Sequence, residues 1–239
     1  MKFFLIIGGT GVMGTSAIRA IREHFDQSCV IIANWYGKES PGFQIEGADN
    51  TIFGDINDLS CREQIKSFNN GKFDYMFYAT ALGDVGIPIK DATQEQIDRS
   101  NKLSFDPIPQ LENELDIGTI VAYSTFYTIR HQLSTYGAMG HSKENIEKWT
   151  VEVGGTSKHA CIRAGLFESP SSRGIKLLLR KTSKNLDNLK DPLLRSYFEN
   201  TPSSQGIKKF EEGIFKEEKE AYGDCRTDKE DLMRAHLEL

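Results

Sequence analysis

Tyr136 and Lys143 are the side chains of this sequence best suited to acid–base chemistry. They bracket the string Tyr136-Gly137-Ala138-Met139-Gly140-His141-Ser142-Lys143. An ammonium beside a phenol lowers its pKa from about 10 and makes it an acid for carbonyl or enolate chemistry. A hydroxyl nearby polarises the oxygen that gains charge, and Ser124 and Thr125 offer two such groups at the end of an apolar run. Asn101 precedes them in Ile97-Asp98-Arg99-Ser100-Asn101-Lys102-Leu103. His24, His131, His141 and His159 show no ligand spacing, so no metal site is expected.

A second constellation binds rather than reacts. Gly8-Gly9-Thr10-Gly11-Val12-Met13-Gly14 stands between the apolar run Phe3–Ile7 and an amphipathic stretch carrying Ala17, Ile18, Ile21 and Phe25. Glycine lets the chain turn tightly and lets the backbone approach a pyrophosphate. The following helix adds free N–H groups and the positive end of its dipole. Gly8, Gly11 and Gly14 recur at every third position. A nucleotide is the expected ligand.

These groups need a frame to converge. Short apolar runs at Val30–Ala33, Thr51–Phe53, Tyr75–Ala79, Thr119–Tyr123 and Ala160–Arg163 alternate with helical patterns. That alternation predicts parallel strands buried on both faces. The expected architecture is α/β, a Rossmann-type doubly wound parallel sheet in a single domain, with ligands at the carboxyl ends of the strands. Residues 1–168 form the nucleotide-binding unit in this reading. Residues 169–239 are its irregular, mostly helical extension: Ser169-Pro170-Ser171-Ser172 reads as a loop, Ile175–Lys181 as a helix, and the charged stretch from Lys208 onward as solvated helix and mobile tail or as a substrate lid.

Composition narrows the function classes. The 239 residues carry a net charge of −5, which disfavours a nucleic-acid partner. No apolar run nears the roughly 20 residues of a membrane span, and Phe3–Ile7 is too short for a signal-peptide core. Cys29, Cys61, Cys161 and Cys225 are far apart and read as reduced thiols of a cytoplasmic protein.

The order Asn101, Ser124/Thr125, Tyr136, Lys143 resembles that of the short-chain dehydrogenase/reductase superfamily over roughly residues 3–168. The commonest family form, Y-x-x-x-K, is not met, because Met139 stands four residues before Lys143. The longer string instead looks like the Y-x-x-M-G-x-x-K signature of bacterial enoyl-acyl-carrier-protein reductases. The resemblance implies catalysis by Tyr136 with Lys143 on the cofactor ribose, assisted by Ser124, Thr125 and Asn101. It implies a cofactor cradle of Gly8, Thr10, Gly11, Val12, Met13 and Gly14, then Asn34 and Lys38, Asp55 and Ile56, Ala79, Thr80 and Ala81, and Gly165 in the turn Arg163–Phe167. Asn34 and Lys38, with no carboxylate after Val30–Ala33, lean toward NADP, with NAD still compatible.

Departures from the pattern are specific. The further Tyr of enoyl reductases is Phe126 here, with Tyr127 next to it. The glycine spacing is that of atypical and extended family members, Pro107 and Pro109 interrupt the usual dimer helix, and no seventh strand is visible. The expectation is an NAD(P)H-dependent reductase of a small carbonyl or an enoyl thioester, with homo-oligomer formation left open. The alternatives are a non-catalytic cofactor-binding protein and an extended-type nucleotide-sugar epimerase or dehydratase.

Overall fold

The computed structural model describes residues 1–25, 28–152, 155–223 and 235–236. Its strands are β1 (Lys2–Ile7), β2 (Cys29–Trp35), β3 (Asn50–Phe53), β4 (Lys72–Tyr78), β5 (Asp116–Thr125) and β6 (Lys158–Ala164). They form one sheet in the order β3-β2-β1-β4-β5-β6, and every pairing is parallel. All six expected strands are present. Ala79 falls just beyond β4, where its N–H still donates to the Ile7 carbonyl at 2.8 Å.

The strands are apolar because helices cover both faces. Leu5, Ile7, Ile32, Met76 and Ile120 pack on one side with α2 (Leu59–Ser67), α4 (Pro107–Glu114) and α6 (Gly137–Val151). Phe4, Ile6, Ile31, Phe77, Val121 and Tyr123 face α1 (Val12–Phe25), which presents Ala17, Ile18 and Ile21 as expected. Each fully buried side chain of this kind contributes about 1.5–3 kcal/mol. The break foreseen at Pro107 and Pro109 is real: α3 (Gln94–Ser104) ends and α4 begins with Pro107 in its first turn, where a missing N–H is harmless.

The C-terminal part differs from expectation. Ser169–Ser172 is not a loop but the start of α7 (Pro170–Thr182). Ser169 and Ser172 each bond the other's backbone N–H, a capping box that starts the helix. After α5 (Arg130–Leu133), α8 (Pro192–Ser196) and α9 (Ser203–Tyr222) complete a third, smaller core around Ile129, Leu179, Leu194, Phe198, Ile207, Phe210 and Ile214. Within α9, Phe210 and Ile214 dock into this core while Lys208, Glu212, Lys216 and Glu220 stay exposed, and residues 224–234 and 237–239 of the charged stretch lie outside the described residues. His236 also packs inward, its Nε2 2.6 Å from the Tyr123 hydroxyl. Cys29, Cys61 and Cys161 form no disulfide among the described residues, whereas Cys225 lies outside them. No helix among the described residues is long and apolar enough to cross a membrane.

The amino-terminal edge of β6 is pinned by a buried pair. Glu112 accepts from His159 Nε2 at 2.8 Å and from the Ser157 N–H at 3.1 Å, and the His159 ring stacks on Trp149. Burial alone would raise the Glu112 carboxyl, but these hydrogen bonds outweigh it and hold it below the usual range. Glu112→Ala strands both donors and should cost about 1–3 kcal/mol in urea denaturation at neutral pH. A depressed carboxyl contributes above its ordinary pKa and stops contributing as pH falls through its folded value. The gap between wild type and variant should therefore close in acid.

Candidate active site

Strand order reverses between β1 and β4, and the crevice beyond their carboxyl ends is where such sheets bind ligands. The glycine loop lies there. Gly8 has φ +84, and a Cβ on it would sit 3.0 Å from the Ala79 carbonyl carbon and the Thr80 nitrogen. A Cβ on Gly14 would sit 2.3 Å from the Gly8 oxygen. The backbone itself excludes side chains at both positions.

Gly11 differs. A Cβ there meets nothing nearer than the Gly8 oxygen at 3.5 Å, and the residue is exposed at the start of α1. The protein does not need glycine at this point. The open space over the first N–H groups of α1 is what a diphosphate requires, so the loop fits a dinucleotide. Thr10 is exposed beside it, and Val12 and Met13 open the helix.

The remaining cofactor positions divide. Lys38 is exposed beyond β2. Asn34 is 3% exposed, and its amide points inward to the Ile52 and Gly54 carbonyls and the Cys61 thiol. Its side chain ties β2 to β3 and the turn after it. Asp55 accepts from the Asn57 backbone and side chain through Oδ1, closing the turn after β3, and Ile56 is buried behind it. Ala79 and Thr80 are half-buried against the glycine loop, and Ala81 is exposed.

The expected catalytic groups converge only in part. Lys143 is buried on α6, and its ammonium donates to the Tyr123 carbonyl at 2.8 Å. Burial lowers it to about 8, with Cys161 and Glu147 pulling the other way. Tyr136 caps the start of α6. Its phenol is pushed up to about 12 by burial, not lowered by the ammonium. Desolvation is the largest cause of both shifts.

Ser124 Oγ donates to Glu147 Oε1 at 2.6 Å, the same carboxylate that Arg163 grips, and Thr125 Oγ1 donates to the Ala164 carbonyl at 2.8 Å. Asn101 Oδ1 accepts from Ser142 and Asn145, joining α3 to α6. Met139 is buried against Gly83 and Ser100. Tyr127 is half-buried, and burial followed by the Glu147 and Glu144 charges raises its phenol.

Tyr136 opens on a cavity of about 60 Å³, lined chiefly by Leu166, Ile175, Leu179, Ile207, Phe210 and Ile214. Lys176 and Glu211 also line it and pair at 2.7 Å. Gly137 explains how Tyr136 is held. Its φ is +49, and a Cβ there would lie 2.4 Å from the Asp84 carbonyl. The loop at Asp84–Ile87 thus packs directly on the start of α6, and the Asp84 side chain pairs with Arg99. α9 is a wall of this cavity, in a stretch whose sequence reads from Lys208 onward as solvated helix and mobile tail or as a lid. The signal was present, since Ile207, Phe210, Ile214 and Glu218 recur at helical spacing.

No protein-family model matches the sequence, and no curated protein matches it significantly. Solved structures do match. The KRED1-Pglu enzyme aligns with a TM-score of 0.63 at 12% identity, over 99% of this chain and 93% of its own. A short-chain dehydrogenase/reductase from Saccharomyces cerevisiae aligns with a TM-score of 0.58 at 16% identity, over 84% and 82%. The fold is that of the short-chain dehydrogenase/reductases. An NADPH-dependent 3-quinuclidinone reductase from Rhodotorula rubra shares this fold with a TM-score of 0.54 at 14% identity, over 76% and 77%.

Gly11 and Gly14 should behave differently on substitution. Gly14→Ala forces backbone against backbone and should destabilise by about 1–3 kcal/mol or more. Gly11→Ala should stay within about 0.5 kcal/mol of wild type, as for a surface change. Thermal denaturation of the two variants side by side checks the contrast.

Proposed function

We propose that the chain is an NAD(P)H-dependent oxidoreductase of the short-chain dehydrogenase/reductase type, reducing a small carbonyl compound or an enoyl thioester. The observation that carries this reading is Gly11, a glycine with room above it at a helix start, in the crevice where the strand order reverses. The NADPH-dependent reductases among the fold relatives support it. Gly8, Thr10, Gly11, Val12, Met13 and Gly14 cradle the diphosphate. Lys38 meets the 2′-phosphate, Asp55 and Ile56 the adenine side, and Ala79, Thr80, Ala81 and Gly165 the nicotinamide half. Bound there, the cofactor supplies hydride.

The chain's own residues supply the rest. With its phenol at about 12, Tyr136 keeps its proton across the working pH range and donates to the substrate oxygen as that oxygen gains charge. Leu166, Ile175 and Leu179 exclude water around the apolar body of the substrate. One Lys143 donor fixes the ammonium to the Tyr123 carbonyl, leaving two for the ribose. The hydroxyl protons of Ser124 and Thr125 are committed within the protein, so Tyr136 carries the donor role.

Two tests bear on this. Titration calorimetry should show NADPH bound at least as tightly as NADH, and Gly11→Val should remove binding without unfolding the protein. Affinity for the anionic cofactor should fall as pH rises through about 8, where Lys143 loses its charge, and Lys143→Met should flatten that profile.

The raised Tyr136 phenol, with Met139 in the usual tyrosine position, favours a second reading as a cofactor-binding protein without turnover. Loss of reduced-cofactor absorbance with a panel of ketones and enoyl thioesters separates the two. In the enzyme, Tyr136→Phe should lower kcat by about 10²–10³-fold with cofactor affinity nearly unchanged. A cofactor bound but never oxidised would establish the binding protein.

A further inference from the structure

α9 grips the loops that border the cavity. Glu217 accepts from the backbone N–H groups of Arg130 and His131 at 2.7 and 3.0 Å and meets His131 Nδ1 at 2.5 Å. Tyr222 stacks on Phe126, with ring centroids 4.2 Å apart, and its hydroxyl lies 3.1 Å from Thr128 Oγ1. Between these two contacts Glu218 turns inward, in register with Ile207, Phe210 and Ile214. It is 1% exposed, and its two oxygens lie 3.1 and 3.3 Å from the Leu166 N–H. Leu166 follows β6 and is a wall of the cavity that Tyr136 also lines. A carboxyl in such a core position is costly, and a single backbone donor is a small return for burying it.

We propose that Glu218 is a positioning residue for the site: its neutral carboxyl holds the Leu166 turn against the cavity, and ionisation releases it. This rests on reading that cavity as the substrate site.

The charged groups on the surrounding elements are engaged elsewhere. Glu217 faces His131 of α5, Glu168 and Glu211 share Lys176 of α7, and Arg163 of β6 is paired with Glu147. None of them acts on Glu218 through its charge. Burial pushes its carboxyl up to about 7, and the Leu166 N–H offsets this only in part. The docked helix thus holds the proton more tightly than solvent-exposed Glu218 would. By linkage, protonation favours the docked state, and rising pH through neutrality loosens it.

Amide exchange of Leu166, corrected for the intrinsic rate, tests this without any ligand. In the wild type, protection should fall about tenfold between pH 6 and pH 8. Glu218→Gln, permanently neutral and still an acceptor, should keep its pH 6 protection at pH 8. NADPH titrated into both proteins gives the functional readout. The affinity ratio of Glu218→Gln to wild type should be near one at pH 6 and several-fold at pH 8, with the Lys143 titration cancelling in the ratio. A flat wild-type exchange profile, or a Glu218→Gln profile parallel to the wild type, overturns the proposal. Exchange as expected in a protein that binds no NADPH would uphold the Glu218 latch and count against the cofactor reading.

Discussion

Two stretches of backbone meet at the centre of the sheet with no side chain between them. Gly14 lies against the Gly8 carbonyl, and Gly8 against the peptide joining Ala79 to Thr80. This close approach brings the end of β1, the end of β4 and the start of α1 together at one point. Everything that reads as a ligand crevice follows from it: the direction of α1, the exposure of its first N–H groups, and the free space at Gly11. Side chains elsewhere in the sheet can be exchanged for others of similar volume. Here any added atom separates the elements.

On the other flank of the site the governing constraint is water exclusion. Lys143, Tyr136 and Glu218 all lie in surroundings that disfavour their charged forms, and in each case burial is the largest cause. The three are not paired with one another. Lys143 is held by a carbonyl and Glu218 by an N–H, so backbone groups do the work that opposite charges do in a salt bridge. Such a site gains little from long-range Coulomb attraction and depends on fixed local dipoles.

Sequence patterns made the sheet legible because strands buried on both faces must be nearly continuously apolar, which holds for the central runs such as Phe3–Ile7 and Val30–Ala33 and weakens at the edges, at Thr51–Phe53 and at Ala160–Arg163 with its exposed Arg163. The glycine loop was legible for the same kind of reason, since only glycine survives at Gly8 and Gly14. The site was less so. Asn34 and Lys38 look equivalent in a string, yet strand alternation turns Asn34 into the core. Ser124 and Thr125 look like a pair of free hydroxyls until Glu147 and Ala164 are seen to accept from them. Ser169-Pro170-Ser171-Ser172 has a loop's composition and a helix cap's geometry. The charge of the C-terminal stretch concealed the three apolar residues, Ile207, Phe210 and Ile214, by which α9 docks.

The grip of α9 also bears on when the site exists during folding. Its contacts to the loop at Thr128–His131 join residues 86 to 94 positions apart, and the Glu218–Leu166 bond spans 52. Four of the five strand pairings close shorter loops, whereas β1 pairs with β4 across 71 residues. Contacts of high sequence separation lose the most chain entropy before they return any energy. By that measure the α9 contacts to the Thr128–His131 loop cost more chain entropy than any strand pairing, with the β1–β4 approach that forms the glycine crevice next, so the pocket wall beside Tyr136 joins segments further apart in sequence than any the sheet brings together.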